Sequence, residues 1–165
     1  MQTGESKEAR HDAFDRLRRR VLWSLPSGLY LLGSAGGERR NLMTLSWAMQ
    51  VAIDPKLVAV SVEKEALTLR LVEEGRAFSV NLLRREDRQI VRRFAKPAEE
   101  GEGTLGGLEV FSARTGAPIL TQAAGWLDCE LRYTQPLGSH TLFVGEVVDC
   151  GLSGDDAGPL LRMED

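Results

Sequence analysis

The sequence is poor in the residues that hold disulfides and metals. It has two cysteines and two histidines among 165 residues. Cys129 and Cys150 lie far apart, which is not the pattern of a disulfide framework or a metal site and is typical of a reducing compartment. The N-terminal segment is polar and lacks the apolar core of a signal peptide. We therefore expect a cytoplasmic protein without a metal site.

Long apolar runs and an excess of positive charge are also missing. No run approaches the roughly 20 apolar residues of a transmembrane helix, so we expect no membrane segment. The formal net charge is −3, which leaves no basic field for nucleic acid. A chain of 165 residues with 42% hydrophobic content predicts one globular domain, residues 1–165.

What the sequence does contain is a series of short β-rich runs, together with 17 glycines. Runs at 42–53 and 57–62 flank the turn Asp54-Pro55, and the second is almost wholly apolar, as in a strand buried on both faces. A helical pattern follows over 66–74, with Gly75 as its left-handed cap. Residues 76–82 then form another predicted strand.

Further elements are predicted on both sides of this segment. They are strands at 29–34, 124–133 and 140–150, helices at 9–24 and 84–94, and a long irregular loop at 98–107. Many short antiparallel strands predict a mainly β fold, a β-barrel with added helices. Closure into a barrel removes the exposed edges of a sheet.

One motif fits by letter only. Residues 101–106 match G-x-G-x-x-G, but a dinucleotide site needs a strand before this motif and a helix after it. Here Pro97 and acidic residues come before it, and a glycine-rich segment follows. We interpret the match as part of the loop.

An ordered set of motifs resembles the flavin reductase-like family, the FMN-binding split barrels. The set is MTLSWAMQVAIDPKLVAVSVEKEALTLRLV, then GRAFSVNLL, and finally HTLFVGEV, beginning at His140. The resemblance covers about residues 22–152. It implies a six-stranded Greek-key split barrel, a homodimer, FMN as the flavin and NAD(P)H as the electron donor.

The flavin ring is expected on the strand from 44 to 50. A period of two places one set of side chains on a polar face with small residues, which lets a ring approach the backbone, and the other set on the opposite face. In the family, residues matching Ser46 to Gln50 line the ring. The candidates are Thr44, Ser46, Trp47, Ala48, Met49 and Gln50. Alternatively, this is an ordinary barrel strand with Trp47 in the core.

The resemblance places the ribityl phosphate at the following strand end and helix start. The candidates there are Ser61, Val62, Glu63, Lys64 and Thr68, with Asn81 and Arg84 further along. A helix N-terminus favours an anion. Glu63 departs from the small polar or basic residues of many relatives and would repel a phosphate unless it pointed to solvent. The alternatives are a solvated Lys64, a turn residue at Asn81 and a surface Arg84.

His140 is the candidate catalytic residue. In the family, a histidine in this position faces the pocket shared by flavin and nicotinamide, where it would orient the nicotinamide or adjust the charge near the ring. Hydride transfer needs two stacked rings and no general base, so positioning carries the catalysis. The alternative is a structural histidine at the start of a strand.

These residues favour an NAD(P)H-dependent FMN reductase that could supply reduced flavin to an oxygenase component. The alternative is an FMN-binding protein without nicotinamide-dependent activity. A relative of pyridoxamine-phosphate oxidases or of haem-handling proteins is a third interpretation, but the sequence lacks obvious phosphopyridoxal ligands.

Overall fold

The structure, a computed structural model, describes residues 6–165. Three α-helices and eleven strands lie within this range. The helices are α1 (Lys7–Trp23), α2 (Leu67–Gly75) and α3 (Ile90–Arg93). The strands are β1 (Tyr30–Gly36), β2 (Arg39–Leu45), β3 (Ala48–Ala52), β4 (Leu57–Glu63), β5 (Ala77–Leu82), β6 (Glu100–Gly101), β7 (Thr104–Leu105), β8 (Leu108–Ser112), β9 (Pro118–Leu120), β10 (Gly125–Leu137) and β11 (His140–Leu152).

Seven strands form one antiparallel sheet in the order β2-β1-β5-β10-β11-β4-β3. The two edge strands, β2 and β3, are consecutive in the chain and are joined by Ser46 and Trp47 alone. Two residues cannot span the width of a flat seven-stranded sheet, so the sheet must curl until its edges meet. The result is a barrel that is split between β2 and β3. The predicted mainly β, split-barrel fold is therefore confirmed.

The seventh strand comes from a break that the sequence pattern did not reveal. We predicted one continuous strand over 42–53, which is wrong: β2 ends at Leu45, and β3 begins at Ala48 on the opposite edge of the sheet. Apolar and small polar residues continue through the break, so the hydrophobic pattern carries no signal of it. The break is fixed instead by hydrogen bonds from Ser27 and Ser61 to the backbone of the two residues between the strands.

Helix α2 closes one end of the barrel. Its buried Leu69 and Val72 pack in one core cluster with Phe78 and Phe143 from the barrel strands. The predicted cap at Gly75 is displaced by one residue, because the left-handed conformation belongs to Arg76, with φ 55°. Gly75 is required for another reason: a Cβ there would lie 1.9 Å from the carbonyl oxygen of Ala35.

The predicted loop at 98–107 is wrong, because this segment contains short strands. β6 and β7 form a small hairpin that continues through β8 to β9 as a second, four-stranded sheet. Leu105 is fully buried with Phe94 and Leu120 in a second core cluster. The glycines that suggested a loop occupy tight turns, and Gly103 and Gly106 have positive φ angles.

Helix α1 stands apart from both cores. No residue of α1 is buried, and Phe14, Leu17 and Val21 are exposed. Ser6 caps its start, and its side-chain oxygen accepts a hydrogen bond from the Ala9 N–H. Between residues 6 and 165, no helix combines the length and apolar character needed to cross a membrane.

Candidate functional site

A groove of about 220 Å³ lies at the split of the barrel. It is formed by the end of β2, the crossing segment Ser46-Trp47, the end of β4 and the start of β11. The residues that line it are Met43, Thr44, Leu45, Ser46, Trp47, Ser61, Glu63 and His140. Five of the predicted site residues and the predicted catalytic histidine are therefore brought together here.

The crossing segment is held from both sides by hydrogen bonds. The Ser61 N–H donates to the carbonyl oxygen of Trp47 at 3.0 Å, and the hydroxyl of Ser27 donates to the carbonyl oxygen of Ser46 at 2.6 Å. These bonds use backbone oxygens and leave the side chains of Ser46 and Trp47 free to face a ligand. Within residues 6–165, the hydroxyls of Ser46 and Ser61 have no hydrogen-bond partner.

Thr44 is tied to helix α3 behind the groove. Its N–H donates to the carbonyl oxygen of Phe94 at 3.1 Å, and its hydroxyl donates to that of Val91 at 2.8 Å. The single proton of the Thr44 hydroxyl is therefore already donated within the protein. Thr44 can shape one wall of the groove, but its hydroxyl can only accept a hydrogen bond from a ligand.

His140 lies beside the indole of Trp47. The two ring centroids are 4.9 Å apart with a tilt of 49° between the planes. Residue His140 pairs with Glu63 in the β11–β4 ladder, and its Nδ1 lies 2.8 Å from the hydroxyl of Ser139. Strand pairing, one hydrogen bond and one ring contact therefore fix the imidazole at the rim, half-buried.

Glu63 is the one charged side chain among the residues that line the groove. Lys64 follows it in an exposed position, with its N–H bonded to the carbonyl oxygen of Ser139 at 3.0 Å. Helix α2 begins only three residues later, and no side chain caps its first turn. The Leu69 N–H is bonded to the carbonyl oxygen of Ala66 at 3.2 Å and Thr68 is fully buried, which leaves the N–H of Leu67 for an anion.

Three predicted residues on β3 face a different opening. Ala48, Met49 and Gln50 line a cavity at one end of the barrel, and none of them lines the groove. Ala48 also packs against the barrel core. The shared polar face predicted for 44–50 is therefore wrong, because the break at Ser46-Trp47 interrupts the alternation of the side chains.

Three further predicted residues are buried away from the groove. Val62 and Thr68 are fully buried, and the Thr68 hydroxyl accepts a hydrogen bond from the amide nitrogen of Asn41 at 3.1 Å. Asn81 is also fully buried, and both N–H groups of its amide are used, by the carbonyl oxygen of Leu31 and the hydroxyl of Ser79. The side chains of these three residues make their contacts inside the protein.

Arg84 lies on another part of the surface. Its guanidinium donates to the carbonyl oxygen of Ser153 at 2.9 Å, and its backbone bridges to Leu160 near the C-terminus. It lines a shallow depression with Arg85, Arg88 and Pro159. The structure does not bring Arg84 to the groove.

The sequence did not single out two of the apolar residues that line the groove. Met43 comes directly before Thr44 on β2, and Leu45 comes directly after it. The motif that drew attention to Thr44 and Ser46 already contained both of them. Only the break after Leu45 shows that consecutive residues can line one groove.

A family model described as flavin reductase like domain matches residues 22–165. The matched range includes all the strands and omits most of helix α1.

Among curated relatives, an NADH-dependent FMN reductase of Streptomyces nodosus subsp. asukaensis is 28% identical over 148 residues. The match covers 87% of this chain and 78% of the relative. A diflavin flavoprotein of Synechocystis is also 28% identical, but the match covers 79% of this chain and only 23% of that longer protein. The chain thus spans about a quarter of the length of the diflavin relatives it matches.

Two solved structures have similar folds. The FMN-binding protein of Thermus thermophilus, solved with p-hydroxybenzaldehyde, gives a TM-score of 0.72 at 27% identity, covering 84% of this chain and 81% of that one. A component B homologue of nitrilotriacetate monooxygenase from Mycobacterium thermoresistibile gives 0.76 at 19% identity, covering 93% and 88%. At that identity the second similarity concerns the fold alone.

Proposed function

The chain belongs to the flavin reductase-like domain family, and on that premise we propose that it is an NAD(P)H-dependent FMN reductase whose flavin lies in the groove at the split of the barrel. The observation that carries the proposal is the crossing segment Ser46-Trp47. It offers unpaired polar groups and a large ring next to His140, in an opening on the protein surface. Similarity to an NADH-dependent FMN reductase supports the choice of cofactors.

The residues in the groove fit the ring system of a flavin. An isoalloxazine needs a flat apolar wall and hydrogen bonds at its edge. Met43, Leu45 and Trp47 are the apolar members of the lining, and Ser46 and Ser61 add two unpaired hydroxyls. In this proposal the ring lies against the backbone of the crossing segment, where Thr44 fixes the wall behind it.

The phosphate end of FMN fits the surface beyond Ser61. The start of helix α2 has no side-chain cap and presents the N–H of Leu67, and the exposed Lys64 lies three residues before it in the chain. Thr68, Val62 and Asn81 take no part through their side chains in this proposal, because these are buried. Glu63 would then point away from the phosphate.

His140 is proposed to position the nicotinamide. When bound, FMN supplies an electrophilic N5 that accepts hydride from C4 of the dihydronicotinamide. Transfer requires the two rings to stack in contact, so the enzyme contributes orientation and the exclusion of water. The imidazole stands at the rim beside Trp47, where a second planar ligand would enter, and its contact with Ser139 fixes the direction of the ring.

A homodimer is part of the proposal, because one chain encloses little of the cofactor. The groove volume of about 220 Å³ is below the roughly 300–1,000 Å³ of typical small-molecule sites. Beyond Trp47, an exposed apolar strip runs over the end of β3 and the turn after it, where Val51 and Ile53 are exposed by 46% and 76%. A second copy on this strip would bury it and cover the groove.

An oxygenase component is proposed as the acceptor of reduced flavin. The reason is chemical, because the reduced FMN that an FMN reductase produces needs an acceptor to reoxidise it.

Anaerobic stopped-flow mixing tests the activity. The protein with stoichiometric FMN is mixed with NADH or NADPH, and the flavin absorbance near its visible maximum is followed. We expect bleaching with at least one of the two nucleotides, at a rate that saturates with nucleotide concentration. Binding of FMN without bleaching by either nucleotide would contradict the reductase function while leaving the flavin site intact.

A specific observation favours the alternative, an FMN-binding protein without nicotinamide-dependent activity. Glu63 is a carboxylate in the lining of the groove, and it opposes the negatively charged phosphates of NADH. The Thermus relative is described as an FMN-binding protein. Glu63→Gln separates the two functions: in a reductase it should raise the rate of bleaching at low nucleotide concentration, whereas a binding protein should stay inert.

A further inference from the structure

We propose that the open end of the barrel is a second binding site, for a small aromatic or alicyclic compound that carries one acidic group. The cavity there, called the barrel mouth, has a volume of about 320 Å³. It is lined by side chains of β1, β3, β4, β5, β10 and β11 and shares none of its lining residues with the groove.

The mouth exists because only one end of the barrel is plugged. Helix α2 fills the end where β4 finishes and β5 begins. At the other end β1 and β10 begin and β5 and β11 finish, and Val58 and Val80 form an almost fully buried floor. Barrels of this size can hold one small ligand in such an opening.

The size and the lining select a ring compound. A dry cavity of about 150 Å³ is enough for one benzene molecule, so about 320 Å³ accommodates one or two rings. The walls are apolar, with Leu57, Leu82, Leu127 and Val147 half-buried around the floor. Apart from Tyr30, the polar side chains of the lining are the exposed Gln50, Lys56 and Cys150, and a few polar groups around an apolar cavity are usual in a small-molecule site.

The rim selects an anion. Lys56 is the one charged side chain among the residues that line the mouth. Its ammonium group donates to the carbonyl oxygen of Ile53 at 3.0 Å, which leaves two of its three N–H donors for a ligand. The Gln50 amide nitrogen donates to the carbonyl oxygen of Ala52 at 3.0 Å, which leaves its second N–H as a neighbouring donor.

The two cysteines provide a reporter for this site without any substitution. Cys150 is exposed and lines the mouth. Cys129 is buried, and its burial, followed by the nearby charge of Asp128, raises the pKa of its thiol to about 12. Because the thiolate is the reactive form, alkylation near neutral pH will report on Cys150 alone.

The experiment measures the rate at which iodoacetamide alkylates Cys150 in the full chain, with naphthoate as the probe and naphthalenemethanol as its uncharged match. We expect naphthoate to protect Cys150 in a saturable manner, with the rate falling about tenfold at ten times the dissociation constant. Naphthalenemethanol should need a several-fold higher concentration. No saturable protection by naphthoate, or equal protection by the two compounds, would overturn the proposal.

Two variants locate the probe. Val147→Phe should fill the mouth and abolish protection. Lys56→Gln, at an exposed position that should not affect folding, should lower the affinity for naphthoate about fivefold without changing the affinity for naphthalenemethanol. Protection that persists unchanged in Lys56→Gln would overturn the proposed anion preference. FMN should not compete with naphthoate; competition would overturn the separation of the two sites. The outcome is independent of whether the groove reduces flavin.

Discussion

The polar side chains inside the barrel and those at the groove come from the same few residue types, but their hydrogen bonds differ. Inside, Asn81 and Asp128 are fully buried, and each makes three hydrogen bonds. At the groove, Ser46 and Ser61 are half-buried and their hydroxyls are unpaired within residues 6–165. Interior polar groups are therefore expected to determine stability, and groove polar groups are expected to determine binding.

The largest expected effect is on stability, at Asp128. Its carboxylate accepts hydrogen bonds from the N–H groups of Arg114 and Thr115, both at 2.8 Å, and from the Thr115 hydroxyl. Asp128→Ala leaves these donors unpaired and should lower the free energy of unfolding by about 4 kcal/mol. Urea denaturation followed by circular dichroism measures this loss.

Asp149 provides the matched control, because it pairs with Asp128 across the β10–β11 ladder but is exposed. Asp149→Ala should change the free energy of unfolding by less than about 0.5 kcal/mol. The folded Asp128→Ala protein should bind FMN with unchanged affinity. Equal destabilisation by both variants would show that the burial of Asp128 has no special energetic role.

The next effect is on binding, at Ser46. Ser46→Tyr places a phenol in the groove next to Trp47 and should weaken FMN binding by at least about 100-fold, or about 2.8 kcal/mol. Ser153→Tyr, at an exposed position on the C-terminal segment, is the control and should leave FMN affinity unchanged. Fluorescence titration of FMN measures both. If Ser46→Tyr bound FMN normally, the flavin would lie elsewhere.

A smaller effect is expected on the rate of hydride transfer, at His140. His140→Ala removes the imidazole from the side of Trp47 and should slow bleaching about tenfold, equivalent to about 1.4 kcal/mol in the barrier. FMN affinity should change by less than about threefold, because the imidazole is at the rim. His11→Ala, which alters the exposed histidine of α1, is the control in the same stopped-flow measurement.

Identical rates for the His140→Ala variant and the unsubstituted protein would give His140 a structural role. A loss of FMN affinity as large as the loss of rate would place the imidazole on the flavin itself. Either result removes His140 from the positioning of the nicotinamide.

The smallest expected effect is on FMN affinity, at Lys64. It distinguishes Lys64 from Arg84, the two candidate cations for the phosphate that the sequence left unranked. Lys64→Gln should weaken FMN about threefold, since an exposed charge near a phosphate contributes well under 1 kcal/mol. Arg84→Gln should have no effect, because its guanidinium is bonded to Ser153 on another surface. Isothermal titration at low ionic strength shows the difference best. Greater sensitivity at Arg84 would reverse the assignment of the phosphate end.

The sequence predicted the strands of the barrel well, because alternation and short apolar runs report directly on burial. It missed the break between β2 and β3, since the segment 42–53 keeps a β-rich composition throughout. That break is fixed by tertiary hydrogen bonds from Ser27 and Ser61, which no local pattern contains. The hairpin of β6 and β7 was missed because each of its strands has only two residues.

For the same reason the site was predicted only in part. Sequence reasoning grouped Thr44 to Gln50 by period two, and the break divides that group between the groove and the barrel mouth. Asn81 and Thr68 were predicted to be ligands because they match positions at which the family contacts its cofactor. Their partners, Leu120 for Asn81 and Asn41 for Thr68, come from distant parts of the chain and are visible only in the fold.

The most direct test of the central claim is a crystal structure of the protein with FMN. We expect electron density for the isoalloxazine in the groove, against Ser46 and Trp47 and beside His140, with the phosphate toward the start of α2. Density for the ring in the barrel mouth, or a groove left empty at saturating FMN, would contradict it.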